Sequence, residues 1–224
     1  MATAAALDRS PGPRPTRATE LTTARAFVRF VITRPSLVGL AAAVIAALGL
    51  RLVLGMWGWA DAAVVLVMAA LIGPAEWAIH HLLFHAPSSS RRQRWLGTGK
   101  GHRRHHRDPA DLTWLLLAPA GIVVFALVLG LVGAAVAWAV ATVVDAALVG
   151  PVATGVVVAW AALLHYELAH LLFHARIRPR LARYRRLRAH HLAHHHREAS
   201  QRLGVTTTTG DRLFGTMGRS AGRG

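Results

Sequence analysis

The 224-residue chain contains no cysteine. Disulfides, thiolate metal sites and cysteine nucleophiles are therefore excluded, and any metal ion must be held by imidazole or carboxylate. Acidic residues are scarce too: 10 Asp and Glu stand against 26 Lys and Arg, a formal charge of +16. Basic residues are almost missing from the long apolar stretches, where only Arg51 intrudes. The first 35 residues hold Pro11, Pro13, Pro15 and scattered arginines but no apolar core beside a small-residue cleavage site. No cleavable signal peptide is evident there. Residues 1–35 read as a disordered basic tail ending in a short amphipathic helix around Leu21 to Val31, too short for an electron-carrier domain.

What the chain has in excess is apolar residues, arginine and histidine. Apolar residues make up 54% of it, a share that rarely accompanies so large a charge in a soluble domain. The combination is resolved when the charge sits in loops and tails of a membrane protein. Six basic residues precede Pro35, seven lie between Arg91 and Arg107, and twelve follow Ala175. The apolar stretches between them are long enough to span a bilayer at about 20 residues each. The predicted spans are 37–57, 62–84, 122–144 and 152–173, with Arg51 snorkelling from the end of the first. Pro119 and Gly121 are expected to separate a surface segment from the third span. Positively charged segments stay in the cytoplasm. The two short turns near Asp61 and Asp145 carry no basic residue, so both termini and the basic segments are expected inside. The fold expected is an all-α integral membrane protein, four transmembrane helices under a cytoplasmic histidine-rich helical cap.

All fourteen histidines fall at the predicted cytoplasmic ends or segments. They form four groups: His80, His81 and His85; His102, His105 and His106; His165, His170 and His174; and His190, His191, His194, His195 and His196. Helical neighbours three or four apart share a face. His102-x-x-His105-His106 and His191-x-x-His194-His195 thus each aim three imidazoles toward one point, and His170-x-x-x-His174 aims two. Neutral imidazole serves iron, zinc and copper alike, and so many donors suit two ions better than one. Glu76 and Glu167 lie one turn from His80 and His170; each could orient an imidazole through its second nitrogen or pair with an arginine. Asp111 is placed to cap a helix beginning near Leu112.

The segments Glu76-Trp-Ala-Ile-His80-His-Leu-Leu-Phe-His85, His102-Arg-Arg-His105-His106-Arg-Asp-Pro109-Ala-Asp111, Tyr166-Glu-Leu-Ala-His170-Leu-Leu-Phe-His174 and Ala189-His190-His191-Leu-Ala-His194-His195 resemble the fatty acid hydroxylase and sterol desaturase superfamily. Gly204-Val-Thr and Asp211-Arg-Leu-Phe-Gly215-Thr216 are similar to its C-terminal end. The resemblance runs from about Ile72 to Thr216 and is closest to the catalytic domain of membrane fatty acid 2-hydroxylases. It implies a hydroxylase domain over 36–224, with metal-binding segments 86–111 and 175–216. It implies as metal ligands His80, His85, His102, His105, His106, His170, His174, His191, His194 and His195. Glu76, Glu167 and His190 are left as groups behind the ligands. Spacing and family register disagree at one point: an α-helix pairs His81 with His85, the register pairs His80 with His85.

The resemblance further implies two iron ions, with zinc able to occupy the sites in purified protein, and O2 as co-substrate. The reaction would insert hydroxyl into an unactivated C–H bond of a membrane lipid or fatty acyl chain. Electrons would come from a separate ferredoxin- or cytochrome b5-like protein with its reductase. Sterol oxidation or desaturation and carotenoid ring hydroxylation share the histidine pattern. A metal-ion transporter is the rival from another class, but the outer halves of the spans hold few polar residues to form a path. Nucleic-acid binding is not expected, because no recognition fold accompanies the basic segments. A bacterial cell membrane is the expected location.

Overall fold

The computed structural model describes residues 16–91 and 98–218; for Thr98 only the backbone is described. The fold is all-helical. In chain order the helices are α1 (Ala24–Ile32), α2 (Pro35–Leu54), α3 (Trp59–Ile79), α4 (Thr98–Arg107), α5 (Leu112–Leu115), α6 (Pro119–Val143), α7 (Val149–His174), α8 (Ala182–His196) and α9 (Thr209–Leu213). A π-helical turn over His80–Phe84 prolongs α3.

Among the described residues, four helical stretches are long and apolar enough to cross a membrane: Pro35–Leu54, Trp59–Phe84, Leu112–Val143 and Val149–His174. Their large apolar side chains point outward as well as inward. Leu131, Val53 and Leu66 are among those exposed, which water would penalise and lipid does not. The protein is an integral membrane protein. A non-helical break over residues 116–118 separates the short α5 from α6, immediately before Pro119. Pro119 occupies the first turn of α6, where its missing N–H costs nothing and its fixed φ suits the helix. The N-terminus of α5 is capped by Asp111 accepting from Thr113 N at 2.8 Å.

By connection the spans make two hairpins; by packing, α2 and α3 both lie mainly against α7 and barely approach each other. The α6 and α7 pair is joined at small residues: Gly133, Ala137 and Ala141 of α6 are buried, facing Gly155 and Ala159 of α7. A Cβ on Gly133 would lie 2.9 Å from the Ala159 Cβ and against the Gly155 carbonyl. Such contacts let backbones approach closely where no hydrophobic drive operates between helices. The α2 and α3 hairpin turns through Gly55, at φ +60, and Met56, at φ +50.

Arg51 does not snorkel. Its side chain is 1% exposed and reaches across the bundle. Its Nη2 donates to Asp61 Oδ1 at 2.7 Å and its Nε to Thr154 Oγ1 at 2.8 Å. Nη1 donates to the Gly55 carbonyl, and the guanidinium lies 3.7 Å from the Trp57 ring centroid. Thr154 Oγ1 donates on to Asp61 Oδ1 at 2.6 Å. A charge in the membrane is tolerated when paired and fully hydrogen-bonded. Here the pair ties the first hairpin to α7 at the end opposite the histidines.

Residues 1–15 of the expected disordered tail lie outside the described residues. From Thr16 to Arg34 the chain is folded, so that expectation does not hold for this part. Ala18 and Leu21 are fully buried and pack with Phe30, Leu112, Leu115 and Leu171. Backbone bonds join Ala18 N to Ala110 O at 2.7 Å and Leu112 N to Thr16 O at 3.0 Å. Arg17 forms a two-pronged pair with Asp108, both contacts 2.9 Å. The amphipathic helix expected around Leu21 to Val31 is α1, capped by Thr23. Enough apolar surface is buried under it to offset the cost of ordering the segment.

Candidate metal centre

The histidines gather at one end of the bundle, beneath α4 and α8. Ten of them form two groups of five. Within each group, one ring nitrogen per residue lies within 4.8 Å of all the others. The first group is His80, His85, His102, His106 and His194; the second is His105, His170, His174, His191 and His195. The two abut: the His106 and His195 rings lie 4.2 Å apart between centroids.

The division corrects the reading that each His-x-x-His-His motif aims at a single point. Successive residues on an α-helix turn by about 100°, so positions four apart diverge by about 40° while adjacent ones diverge by about 100°. His102 and His106 of α4 therefore enter the first group, and His105 enters the second. Helix α8 does the converse: His191 and His195 enter the second group and His194 the first. Each motif straddles both groups, giving two histidines to one and one to the other.

The conflict between His80 and His81 is also decided locally. His85 N donates to the His80 carbonyl at 3.0 Å, an i to i+5 bond. The widened turn brings residues five apart onto one face. His80 is 1% exposed inside the first group. His81 points away and stacks on Trp77, centroids 4.9 Å apart.

In the first group Nε2 atoms converge. The His102 Nε2 lies 3.0 Å from each of the Nε2 atoms of His80, His85 and His106. His194 Nε2 is 3.2 Å from those of His85 and His106. In the second group the Nε2 separations are 3.1 Å for His105 and His170, 2.9 Å for His174 and His191, and 3.1 Å for His191 and His195. One proton per nitrogen cannot satisfy three such neighbours. Lone pairs facing a shared point repel unless a cation lies between them. Donors about 2.1 Å from one ion and at right angles are about 3.0 Å apart, which matches these separations. The donor set fits a divalent transition metal at each group.

Burial, then repulsion from neighbouring imidazolium charges, keeps these rings neutral. His85 is held down to about 3, His105 to about 2, and His106 to about 4. His102, His191, His194 and His195 are lowered for the same first reason. Neutral imidazole is the form that binds a metal.

The groups expected behind the ligands do something different. Glu76 accepts no imidazole N–H. It accepts from Val205 N, from Thr206 N at 2.8 Å and from Thr206 Oγ1 at 2.7 Å. Glu167 accepts from Leu117 N at 3.1 Å, tying α7 to the start of the third span. His190 belongs to neither group and pairs with Asp211 at 2.9 Å. His165 meets the Tyr184 hydroxyl at 2.7 Å, and His196 is exposed. What lies directly behind two of the grouped rings is backbone. The Leu203 carbonyl accepts from His80 Nδ1, and the Gln201 carbonyl from His194 Nδ1 at 2.6 Å. Sequence reasoning missed these, and also Asp211 and Arg188. Arg188 donates to the carbonyls of Phe173, Ala175 and Ile177, closing the end of α7 beside His174. The Asp211-Arg-Leu-Phe-Gly-Thr string was the available signal for Asp211; carbonyl donors leave none.

One cavity adjoins the groups and a second borders the first. The first, of about 420 Å³, is walled by His102 and His170, one histidine from each group, with Lys100, Arg104 and Thr113 among its other residues. The other, of about 140 Å³, runs between the spans and is almost wholly apolar, lined by Met68, Leu129, Val136 and Leu163 among others. Phe84, Leu117, Phe125 and Tyr166 border both.

The profile of the Fatty acid hydroxylase family matches residues 63–216. The chain belongs to the fatty acid hydroxylase family. The matched stretch holds all ten grouped histidines, Glu76 and Asp211, two of the four spans whole and most of a third. Family membership makes the protein an oxidoreductase of lipids whose histidine clusters are compatible with a non-heme metal centre. No curated protein and no solved structure is similar enough to the chain to count as a match.

Proposed function

We propose that the protein hydroxylates the acyl chain of a membrane lipid or fatty acid in an O2-dependent reaction, in the manner of a fatty acid 2-hydroxylase, with iron at both histidine groups. The observation that carries this reading is the pair of adjoining cavities. The larger brings one histidine of each group to its wall, and the smaller continues as an apolar slot between the spans. An amphiphile with its tail in the slot would place a carbon near its head against both groups.

Iron bound there would supply O2 activation and removal of an unactivated hydrogen. The rest belongs to the chain. Ten imidazoles would hold the ions. The Gln201 and Leu203 carbonyls fix two of the rings. Lys100 and Arg104, the latter 4.2 Å over the Trp114 ring, offer positive charge to a carboxylate or phosphate head. The apolar slot excludes water from the tail. The distribution of arginine supports a location of both termini and the metal centre in the cytoplasm of a bacterial cell. Electrons would reach the site from a separate ferredoxin- or cytochrome b5-like protein.

Comparing lipid extracts of cells with and without the protein by mass spectrometry tests this. A gain of one oxygen in an acyl-containing class is expected, and its loss with His105→Ala or His194→Ala. No oxygen gain in any class would sink hydroxylation, while a loss of two hydrogens would point to desaturation. Reporters at Gly58 and Gly150 should give no cytoplasmic signal; cytoplasmic signals from both would contradict the orientation.

A further inference from the structure

We propose that Asp211 and Glu76 are positioning residues for one histidine group and not for the other. The inference rests on the reading that each group holds one metal ion.

The segment 203–206 has no helix or strand to hold it. Instead its four consecutive backbone N–H groups all donate to two carboxylates. Leu203 N and Gly204 N reach Asp211 Oδ1 and Oδ2, both at 2.8 Å. Val205 N and Thr206 N reach Glu76 Oε1. Asp211 is fully buried and is itself braced by Thr216 Oγ1 at 2.6 Å and His190 Nε2 at 2.9 Å. Gly204 leaves no room for a side chain, since a Cβ would collide with the Thr207 carbonyl and approach Asp211 Oδ2 to 3.0 Å.

The clamped segment has one visible output. It presents the Leu203 carbonyl to His80 Nδ1, while Gln201 just before it serves His194 Nδ1. Both rings belong to the first group. An imidazole whose Nδ1–H is bound in this way has its tautomer set and its Nε2 lone pair aimed at the ion. In the second group the one backbone partner shown, that of His170, is Leu115, which lies outside the clamped segment. The Nδ1 atoms of His105, His191 and His195 are buried with no hydrogen-bond partner among the described residues. The carboxylate clamp therefore acts on one ion's ligands only.

The test uses the full-length protein in detergent, stripped of metal and titrated with cobalt(II). Bound ion is read by equilibrium dialysis and by the visible absorption of the bound cobalt. Wild type should take up two ions per chain. Asp211→Ala and Glu76→Ala should leave one ion bound as in wild type and weaken the other about 10- to 100-fold. Glu76→Gln keeps an oxygen for Val205 N and Thr206 N and should restore the second ion. Asp211→Asn, which preserves volume, should weaken the same ion should the alanine variant fold poorly. In a His174→Ala background, which impairs the second group, Asp211→Asn should weaken the remaining tight ion. Equal weakening of both ions, or of neither, overturns the proposal. Wild type that binds no cobalt overturns the metal centre itself and this proposal with it.

Discussion

At the scale of single residues, neighbours in sequence have different environments. His80 and His81 are adjacent, yet one is 1% exposed within the first group and the other stacks on Trp77. The expected outcome of His80→Ala is loss of one metal ion per chain. His81→Ala should leave metal content unchanged, because its ring reaches no other grouped nitrogen. Metal analysis of the two purified variants decides this, and the reverse result would restore the plain α-helical register. Glu76 and Glu167 show the same limit from another side. Their place one turn before a histidine leaves an imidazole or an arginine as the expected partner; their oxygens instead receive backbone N–H groups from distant segments. A carboxylate buried near the membrane must find donors, but nothing local specifies which.

At the scale of elements, two devices matter: the π turn and the small-residue seam. The π turn adds one residue to a helical turn and so re-aims His85 relative to His80. Hydropathy and periodicity located the helix but not the extra residue, since one i to i+5 bond has no compositional signature. The seam between α6 and α7 makes a sharper prediction. Gly155→Val would drive a side chain into the Gly133 carbonyl and the Ala137 Cβ. A fall in thermal unfolding temperature is expected, by overpacking of about 1–3 kcal/mol. Gly49→Ala is the control, since a Cβ there meets nothing within 4 Å, and it should cause no loss. Equal effects from the two would show that the seam is not tightly packed.

At the scale of the whole molecule, many imidazoles are stored neutral. Seven of the grouped histidines lie outside the spans, and burial lowers each of them. In the unfolded chain they would take up protons near pH 6.5. Below that pH the unfolded state binds more protons than the folded one, so stability falls with pH. The fall should begin near pH 7 and continue toward the folded values, about 4 for His106 and about 3 for His85. The unfolding temperature of metal-stripped protein should drop steadily between pH 7 and pH 5, above the range where carboxylates titrate. A flat profile across that window would contradict the burial of neutral rings.

The four-helix membrane architecture and the gathering of histidines at one end follow from the sequence by itself. Apolar length and the placement of arginine act additively along the chain, so they can be summed without knowing any contact. The family resemblance of the motifs also implied the ten histidines that the structure brings together. The tertiary structure alone decided how the ten divide. His102 and His106 part from His105, and His191 and His195 part from His194, because membership depends on the facing of helices far apart in sequence. It also decided what stands behind His80 and His194. Those partners are carbonyls, which every residue carries, so only the path of the backbone could select Leu203 and Gln201.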